Sequence, residues 1–142
     1  MTTVLTSERE ALIRDSFAKQ GLMTSLGAKI DTIAPGRVSL RLPITAAVTQ
    51  QHGFAHAGAS FALGDSAAGY AALTLMPEGH EVLTIEMKIN LIAPATGTCL
   101  IAEGEVIKPG RRISVVRATV HAEDATGLRK PVAILQGTMI PA

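Results

Sequence analysis

The sequence predicts an α+β protein in which a curved antiparallel sheet wraps one long helix. Helical patterns come first and strand-like runs dominate the second half of the chain. In the segment Ala57–Met76, twelve of twenty residues are Ala, Gly or Ser. Glycine is a poor helix former, so propensity alone does not explain this segment. Small residues suit a helix that other backbone elements press against, and the strand-like runs are long enough to curl around it.

A first helix is predicted from the pattern Ser-Glu-Arg-Glu, in which Ser7 is the N-cap and Glu10 occupies position N3 of a capping box. We expect this helix to run to about Gln20 and to end at Gly21. Its apolar face contains Leu12, Ile13 and Phe17.

A hairpin follows, because two short runs, Ala28–Ile33 and Arg37–Leu42, are joined by the turn dipeptide Pro35-Gly36. The second run alternates between apolar and polar residues, which predicts a half-buried strand. Its apolar side chains are Val38, Leu40 and Leu42. The segment Pro43–His56 has no periodicity and is predicted to be a loop.

Four long strands are predicted after the helix Ala57–Met76 and the turn Pro77–Gly79. They are Val82–Leu91, Thr98–Ile107, Arg112–Ala122 and Pro131–Met139. Turn-forming residues separate them at Pro94 and Gly97, at Pro109-Gly110 and at Asp124–Gly127.

Length and composition predict one domain, residues 1–142, that associates with copies of itself. Hydrophobic residues make up 47% of the chain, but aromatic residues only 3%, and tryptophan is absent. Such a core is aliphatic, and burial of surface between subunits helps to complete it. We therefore expect the protein to form an oligomer.

Charge and cysteine content argue against several classes of protein. A net charge of +1 supplies no strong field for nucleic acid or a membrane surface. The single Cys99 rules out an internal disulfide framework, so a cytoplasmic location is expected. The first ten residues lack the pattern of a signal peptide, and no uncharged apolar stretch is long enough for a transmembrane helix.

Asp65 is the most informative position, because it interrupts the small and apolar residues of the long helix. Burial of an unpaired carboxylate is costly, so such a residue has either dedicated partners or a raised pKa. One interpretation is that Asp65 lies on a solvent-facing stripe of the helix. The functional interpretation is a carboxylate in a cleft, acting as a general base or a nucleophile.

The start of the long helix is a second candidate, because helix N-termini present free N–H groups that can hold a developing oxyanion. Small residues at Ala57 and Gly58 would let a ligand carbonyl approach the backbone. The segment is equally compatible with an ordinary helix start. His52 and His56 are four residues apart, but no carboxylate adjoins them in the loop, so no metal site is expected.

A basic turn, Lys108-Pro-Gly-Arg-Arg112, is the third candidate. Arginine forks and a lysine charge suit the phosphates of a nucleotide. Solvated basic turns are also common at hairpin ends.

Together these motifs resemble the hotdog-fold acyl-CoA thioesterases of the phenylacetic-acid-degradation (PaaI) type. The resemblance covers roughly Phe17 to Met139. Its motifs are His56-Ala57-Gly58, Leu63-Gly-Asp65-Ser-Ala67, Thr84-Ile-Glu-Met-Lys-Ile-Asn-Leu-Ile-Ala-Pro94, Gly110-Arg-Arg112 and Gly137-Thr138. The resemblance implies a hotdog fold, hydrolysis of an acyl-CoA without a cofactor, and a homodimer or a homotetramer. It also implies a site at a dimer interface, with the helix start from one subunit and the carboxylate from the other.

The resemblance also implies a role for each residue. Asp65 would be the base or the nucleophile, the N–H groups of Ala57 and Gly58 would polarise the thioester carbonyl, Gln50 would orient the substrate or water, and His56 would lie near the departing sulfur. Thr84 would help to hold the attacking water. Phosphates of CoA would contact Lys108, Arg111 and Arg112.

Two positions depart from the family pattern. Ala57 replaces a glycine, so its methyl group can crowd the carbonyl, and Gln50 replaces an asparagine, with Gln51 able to take its place. Aromatic acyl groups are suggested, and medium-chain acyl groups remain open. Apolar candidates for the acyl pocket are Phe17, Met23, Phe54, Leu73 and Met76.

Two other functions were weighed against hydrolysis. One is a hotdog dehydratase or hydratase, but the nine-residue spacing from His56 to Asp65 fits the thioesterase pattern better. The other is a non-catalytic acyl-CoA-binding protein, which usually carries an additional regulatory or nucleic-acid-binding segment.

Overall fold

A six-stranded antiparallel sheet curls around one helix in the computed structural model, which describes residues 4–142. The first three residues, part of the segment in which no signal peptide is expected, lie outside that range. The elements are α1 (Ser7–Ala18), α2 (Gly21–Leu26), β1 (Lys29–Ala34), β2 (Arg37–Pro43), α3 (Ala57–Leu73), β3 (Val82–Leu91), β4 (Cys99–Lys108), β5 (Ser114–Glu123) and β6 (Arg129–Pro141). A single 3-10 turn, Ala46–Val48, interrupts the predicted loop.

The strand order β1-β2-β4-β5-β6-β3 places β1 and β3 at the two edges of the sheet. α3 packs against β2, β3, β4, β5 and β6, so the sheet surrounds the helix. The predicted α+β class and the hotdog arrangement are therefore confirmed. All predicted strand boundaries lie within two residues of those observed.

Close backbone packing explains the small residues of α3. A side chain at Gly104 of β4 would collide with the backbone of Ala67. A Cβ atom at Gly64 would lie 2.9 Å from both Cδ atoms of Leu135 on β6. Larger residues at these contacts would push the sheet away from the helix, as the sequence analysis anticipates.

The N-terminal helix differs from its prediction at both ends. Thr6 is the N-cap, because its Oγ1 accepts a hydrogen bond from Arg9 N at 3.1 Å; the predicted Ser7 cap is wrong. Gly21 does not end the helical region but begins α2, after the chain turns at Gln20. Gly27, at φ 77°, ends α2 instead.

The predicted apolar face of α1 is only partly buried. Ile13 and Phe17 pack into the core, whereas Leu12 is 59% exposed.

The edge strand β3 carries several exposed apolar side chains. They are Leu83, Ile85 and Leu91, followed directly by Ile92. A ten-residue apolar edge is a ready template for pairing with another strand, and proteins rarely leave one uncovered. In residues 4–142, no helix has the length and hydropathy needed to span a membrane.

Candidate active site

Asp65 lies on α3, half-buried, with its carboxylate held by the neighbouring edge strand. Thr84 Oγ1 donates a hydrogen bond to Asp65 Oδ1 at 2.7 Å. A β-bulge at Ile85 shifts the register of β3 between Thr84 and Glu86, and Thr84 pairs with the inward-facing Met139. Bulges re-aim side chains, and this one leaves Thr84 facing the helix. The structure thus brings together two predicted site residues that are 19 positions apart.

Burial raises the pKa of the Asp65 carboxyl above its ordinary value, and the hydrogen bond from Thr84 opposes part of that rise. Asp65 is thus partly buried rather than fully exposed on the helix surface. A carboxylate that is partly desolvated and held by a single donor is more basic than one in water.

Asp65 and Thr84 line a cavity of about 220 Å³, here named the carboxylate cavity. Its other walls come from α1, from later turns of α3 and from β6. These further lining residues are Ser16, Gln20, Ser66, Gly69, Tyr70, Glu81, Val82 and Met139.

The start of α3 has one free N–H group rather than two. His56 is the N-cap, and its Nδ1 accepts a hydrogen bond from Gly58 N at 2.8 Å. Gly58 N–H is therefore already engaged, and it would have to leave His56 in order to polarise a carbonyl. Ala57 N–H has no acceptor among the described residues and lies on the exposed first turn.

The hydrogen bond from Gly58 N to His56 Nδ1 also determines which ring nitrogen of His56 can donate. Because Nδ1 accepts, the neutral imidazole carries its proton on Nε2. This N–H is available to a ligand at the start of α3.

Gln50 is fixed by its own loop. Its Oε1 accepts hydrogen bonds from His52 N at 2.5 Å and from Phe54 N at 3.3 Å. Only the amide nitrogen remains to contact a ligand. Gln50 can therefore donate a hydrogen bond to a substrate oxygen, but it has no free acceptor for a hydrogen bond from a ligand. Gln51 is exposed and does not line the adjacent cavity.

Gln50, His56 and Ala57 line a second cavity of about 510 Å³, here named the amide cavity. Its opposite wall comes from the end of β3 and the segment that follows. The remaining lining residues are Phe54, Ala55, Ser60, Leu91, Ile92, Ala93, Pro94, Ala95 and Val132.

The two cavities of one chain cannot serve the same carbonyl group. Ala57 and Asp65 are eight residues apart on α3, which is about 12 Å along the helix axis. An oxyanion donor must lie about 3 Å from the oxygen that it stabilises. Each chain therefore holds its candidate residues in two separate cavities, here named half-sites, at opposite ends of β3, with Thr84 near one end and Leu91 at the other.

The basic turn lies beyond the strand ends nearest to Asp65. Ser114, which begins β5, pairs with Met139, and Met139 pairs with Thr84, so Thr84 is two strand spacings, or about 10 Å, from Ser114. Of the eight arginines, five form ion pairs and Arg9 binds backbone carbonyls. Arg111 and Arg112 are the two without a partner among the described residues.

The apolar residues proposed for the acyl pocket fall mostly in the core. Phe17, Met23, Leu73 and Met76 are buried, and only Phe54 lines either half-site. Apolar character alone did not distinguish core from pocket.

Several residues of the carboxylate cavity were not predicted from the sequence, among them Ser16, Gln20 and Tyr70. Tyr70 offered a signal, because it is the one tyrosine of the chain and stands in a helix of small residues five positions after Asp65. Ser16 and Gln20 offered none, because their placement depends on how α1 packs over α3.

Two other features lie away from the half-sites. A groove of about 770 Å³ crosses the outer face of the sheet, but its arginines, Arg37, Arg117 and Arg129, are committed to ion pairs with Glu103, Glu105 and Glu123. Within residues 4–142, no three His, Cys, Asp or Glu side chains are grouped so that they could hold a metal ion.

The chain belongs to the thioesterase superfamily, whose family model matches residues 52–128. This range contains the start of α3, Asp65, Thr84 and the basic turn. The protein is therefore a thioester hydrolase with a hotdog fold.

Known relatives agree with this assignment. A thioesterase family protein from Silicibacter pomeroyi is 47% identical, with a TM-score of 0.88, over 91% of this chain and 94% of the other. A 1,4-dihydroxy-2-naphthoyl-CoA hydrolase from Listeria monocytogenes is 27% identical over 67% of this chain and 77% of its own length. The PaaI protein of Escherichia coli shares the fold, with a TM-score of 0.83 at 20% identity, over 97% of this chain and 96% of its own.

Proposed function

We propose that the protein hydrolyses an acyl-CoA to the free acid and CoA, with Asp65 as the reacting carboxylate. The observation that carries this proposal is the Asp65–Thr84 pair, a carboxylate of raised pKa that lines an open cavity. A structural role would not require this carboxylate, because a neutral residue would fill the same position at lower cost.

The chemistry follows from the two half-sites. Asp65 has two possible roles. It either takes a proton from a water molecule that attacks the carbonyl carbon, or attacks this carbon itself to form an anhydride that water then cleaves. In both routes negative charge develops on the carbonyl oxygen, where Ala57 N–H donates. The C–S bond then breaks, and the departing thiolate takes up a proton. This proton comes from Asp65 after it has accepted one from water, or from solvent. Nε2–H of His56 and the free amide of Gln50 are nearby hydrogen-bond donors to the sulfur.

Two chains are needed to bring these groups together. If two β3 edges pair antiparallel about a two-fold axis, the Thr84 end of one strand lies beside the Leu91 end of the other. This pairing also covers the apolar edge of β3. The carboxylate cavity of one subunit then adjoins the amide cavity of its partner, and one dimer contains two complete sites. A homotetramer would be a pair of such dimers.

The basic turn is proposed to bind the phosphates of CoA. Lys108, Arg111 and Arg112 are exposed and unpaired in the described structure, and they lie at the end of the sheet that carries Thr84. Their charges are free to contact an anion without breaking an existing ion pair.

Thiol release from a panel of aromatic, short-chain and medium-chain acyl-CoAs tests this function. We expect turnover of CoA esters, and we expect Arg111→Ala with Arg112→Ala to raise KM for them several-fold with little change in kcat. The control substrate is the same acyl group on N-acetylcysteamine, which has no phosphates and should show no change in KM. No release from any ester would refute the function, and an unchanged KM for CoA esters would place the phosphates elsewhere.

Thr84→Val is expected to move the acidic limb of the pH profile of kcat/KM to higher pH. Activity requires ionised Asp65, so it rises as pH passes the pKa of this carboxyl. The hydrogen bond from Thr84 lowers that pKa, and its loss leaves the raising effect of burial unopposed. Thr84→Ser keeps the hydroxyl group and should keep the wild-type profile. A shift to lower pH would contradict the assignment of Asp65 as the titrating group.

A further inference from the structure

We propose that the carboxylate cavity binds the acyl group, and that Ser16, Gln20 and Tyr70 select acyl groups bearing a neutral hydroxyl or carbonyl oxygen. This inference rests on the proposed function, because it takes Asp65 as the point where the thioester carbonyl reacts. These residues and Asp65 line the same cavity of about 220 Å³.

The hydrogen bonds of this cluster leave one hydroxyl proton and the second amide N–H of Gln20 without an acceptor among the described residues. Gln20 Nε2 donates to Tyr70 Oη at 2.9 Å, and the hydroxyls of Ser16 and Tyr70 share one hydrogen bond at 3.1 Å. One of these two hydroxyls supplies the proton for the shared bond. The other hydroxyl proton has no acceptor among the described residues. An oxygen atom on the acyl group would satisfy this donor, whereas a plain hydrocarbon would leave it unpaired.

The cluster is held firmly enough to discriminate between substrates. Arg9 of α1 donates to the carbonyl oxygens of Leu73 and Met76 at 2.6 and 2.9 Å, which fastens α1 to the end of α3. Phe17 packs edge-on against the ring of Tyr70, with centroids 6.0 Å apart. The wall that carries Ser16 and Gln20 is therefore anchored on both sides of the cavity.

The size and charge of the cavity narrow the class of acyl group. A cavity of about 150 Å³ in another protein holds benzene, so this cavity has room for one ring or a short chain with a substituent. Asp65 and Glu81 both line it, so an acyl group with its own carboxylate would be repelled. The favoured substituent is therefore polar and uncharged.

Matched substrate pairs test the selection. The probes are 3-hydroxybutyryl-CoA against butyryl-CoA, and 4-hydroxyphenylacetyl-CoA against phenylacetyl-CoA. We expect the wild type to prefer the oxygenated member of at least one pair by roughly two- to tenfold in kcat/KM. Tyr70→Phe keeps the ring packing and should bring this ratio close to one. If Tyr70 had only a structural role, Tyr70→Phe would lower kcat/KM equally for both members of a pair and leave the ratio unchanged. This result would overturn the proposal.

Two further variants make the result independent of folding defects. Thr32→Val removes a comparable hydroxyl contact, the 2.6 Å bond to Ser39 on the outer face, and should leave the ratio at its wild-type value. Gly69→Ala adds a methyl group to the cavity wall at ordinary contact distances, 3.7 Å from Met139 Cε and 4.0 Å from Val82 Cγ1. It should lower kcat/KM more for the aromatic pair than for the butyryl pair. Equal effects on both pairs would place the acyl group outside this cavity.

The affinities of the Asp65→Asn variant for these acyl-CoAs distinguish failure of this inference from failure of the proposed function. Its affinities for the members of each pair, measured by calorimetry, should show the same preference without turnover. Equal affinities within both pairs would overturn the acyl-selection proposal even if the wild type hydrolyses CoA esters. A preference that Tyr70→Phe abolishes, in a wild type that hydrolyses none of them, would support the selection and refute the hydrolytic function.

Discussion

Asp65→Asn is expected to lower kcat for thioester hydrolysis by about 10²- to 10⁴-fold, the contribution of a positioned general base. Asparagine has nearly the same shape, so the cavity and the contact with Thr84 keep their dimensions. It cannot take a proton from water and is a poor nucleophile. The measurement is thiol release at saturating substrate, beside the melting temperature and the oligomeric state.

The stability of this variant is a separate part of the expectation. Burial raises the pKa of Asp65, so the folded protein favours the neutral form of this side chain. A neutral asparagine should therefore leave the melting temperature unchanged or raise it. Asp15→Asn, at an exposed position of α1, is the matched control and should retain wild-type kcat. Near-wild-type turnover by Asp65→Asn would contradict the mechanism.

Ala57→Pro is expected to lower kcat by about 10²- to 10³-fold, because it removes the N–H group that is proposed to stabilise the oxyanion. Proline is well tolerated at the first position of a helix, since the N–H that it lacks has no partner within the helix. The preceding residue must be extended, and His56 already has φ −62° and ψ 141°. The variant therefore deletes one donor with little expected effect on folding.

Ala57→Gly is the matched control, because it keeps the N–H group and removes only the methyl group. It should retain kcat within a few-fold and can widen the range of acyl groups accepted. Loss of activity in both variants would show that the shape of the helix start matters and would count against the N–H group as the essential donor.

The fold was predictable from the sequence because its patterns are local. Alternation from Arg37 to Leu42 identified β2, and the small residues from Ala57 onward identified the wrapped helix. The long helix was predicted to extend to Met76, whereas α3 ends at Leu73. Other errors fall at α1, where Thr6 and Ser7 are both good N-cap residues and only the backbone geometry distinguishes them. Gly21 was misassigned because a glycine can begin a helix as well as end one.

The site was only partly predictable because local sequence patterns do not indicate which side chains form hydrogen bonds in the folded chain. The family resemblance placed Asp65 and Thr84 in one site, but it assigned Thr84 to the attacking water and did not predict its hydrogen bond to Asp65. No pattern indicated that His56 would occupy Gly58 N–H, or that the oxygen of Gln50 would be used by its own loop. These choices depend on side-chain directions that the tertiary structure determines.

The central claim is that each site combines Asp65 of one subunit with Ala57 of its partner. The most direct test is to co-express Asp65→Asn and Ala57→Pro chains with different tags and to purify the species that carries both. Each variant alone should be nearly inactive. A hybrid dimer should recover about half of the wild-type activity, because one of its two sites then contains both intact groups. Activity no higher than that of either variant alone would contradict a site shared between subunits.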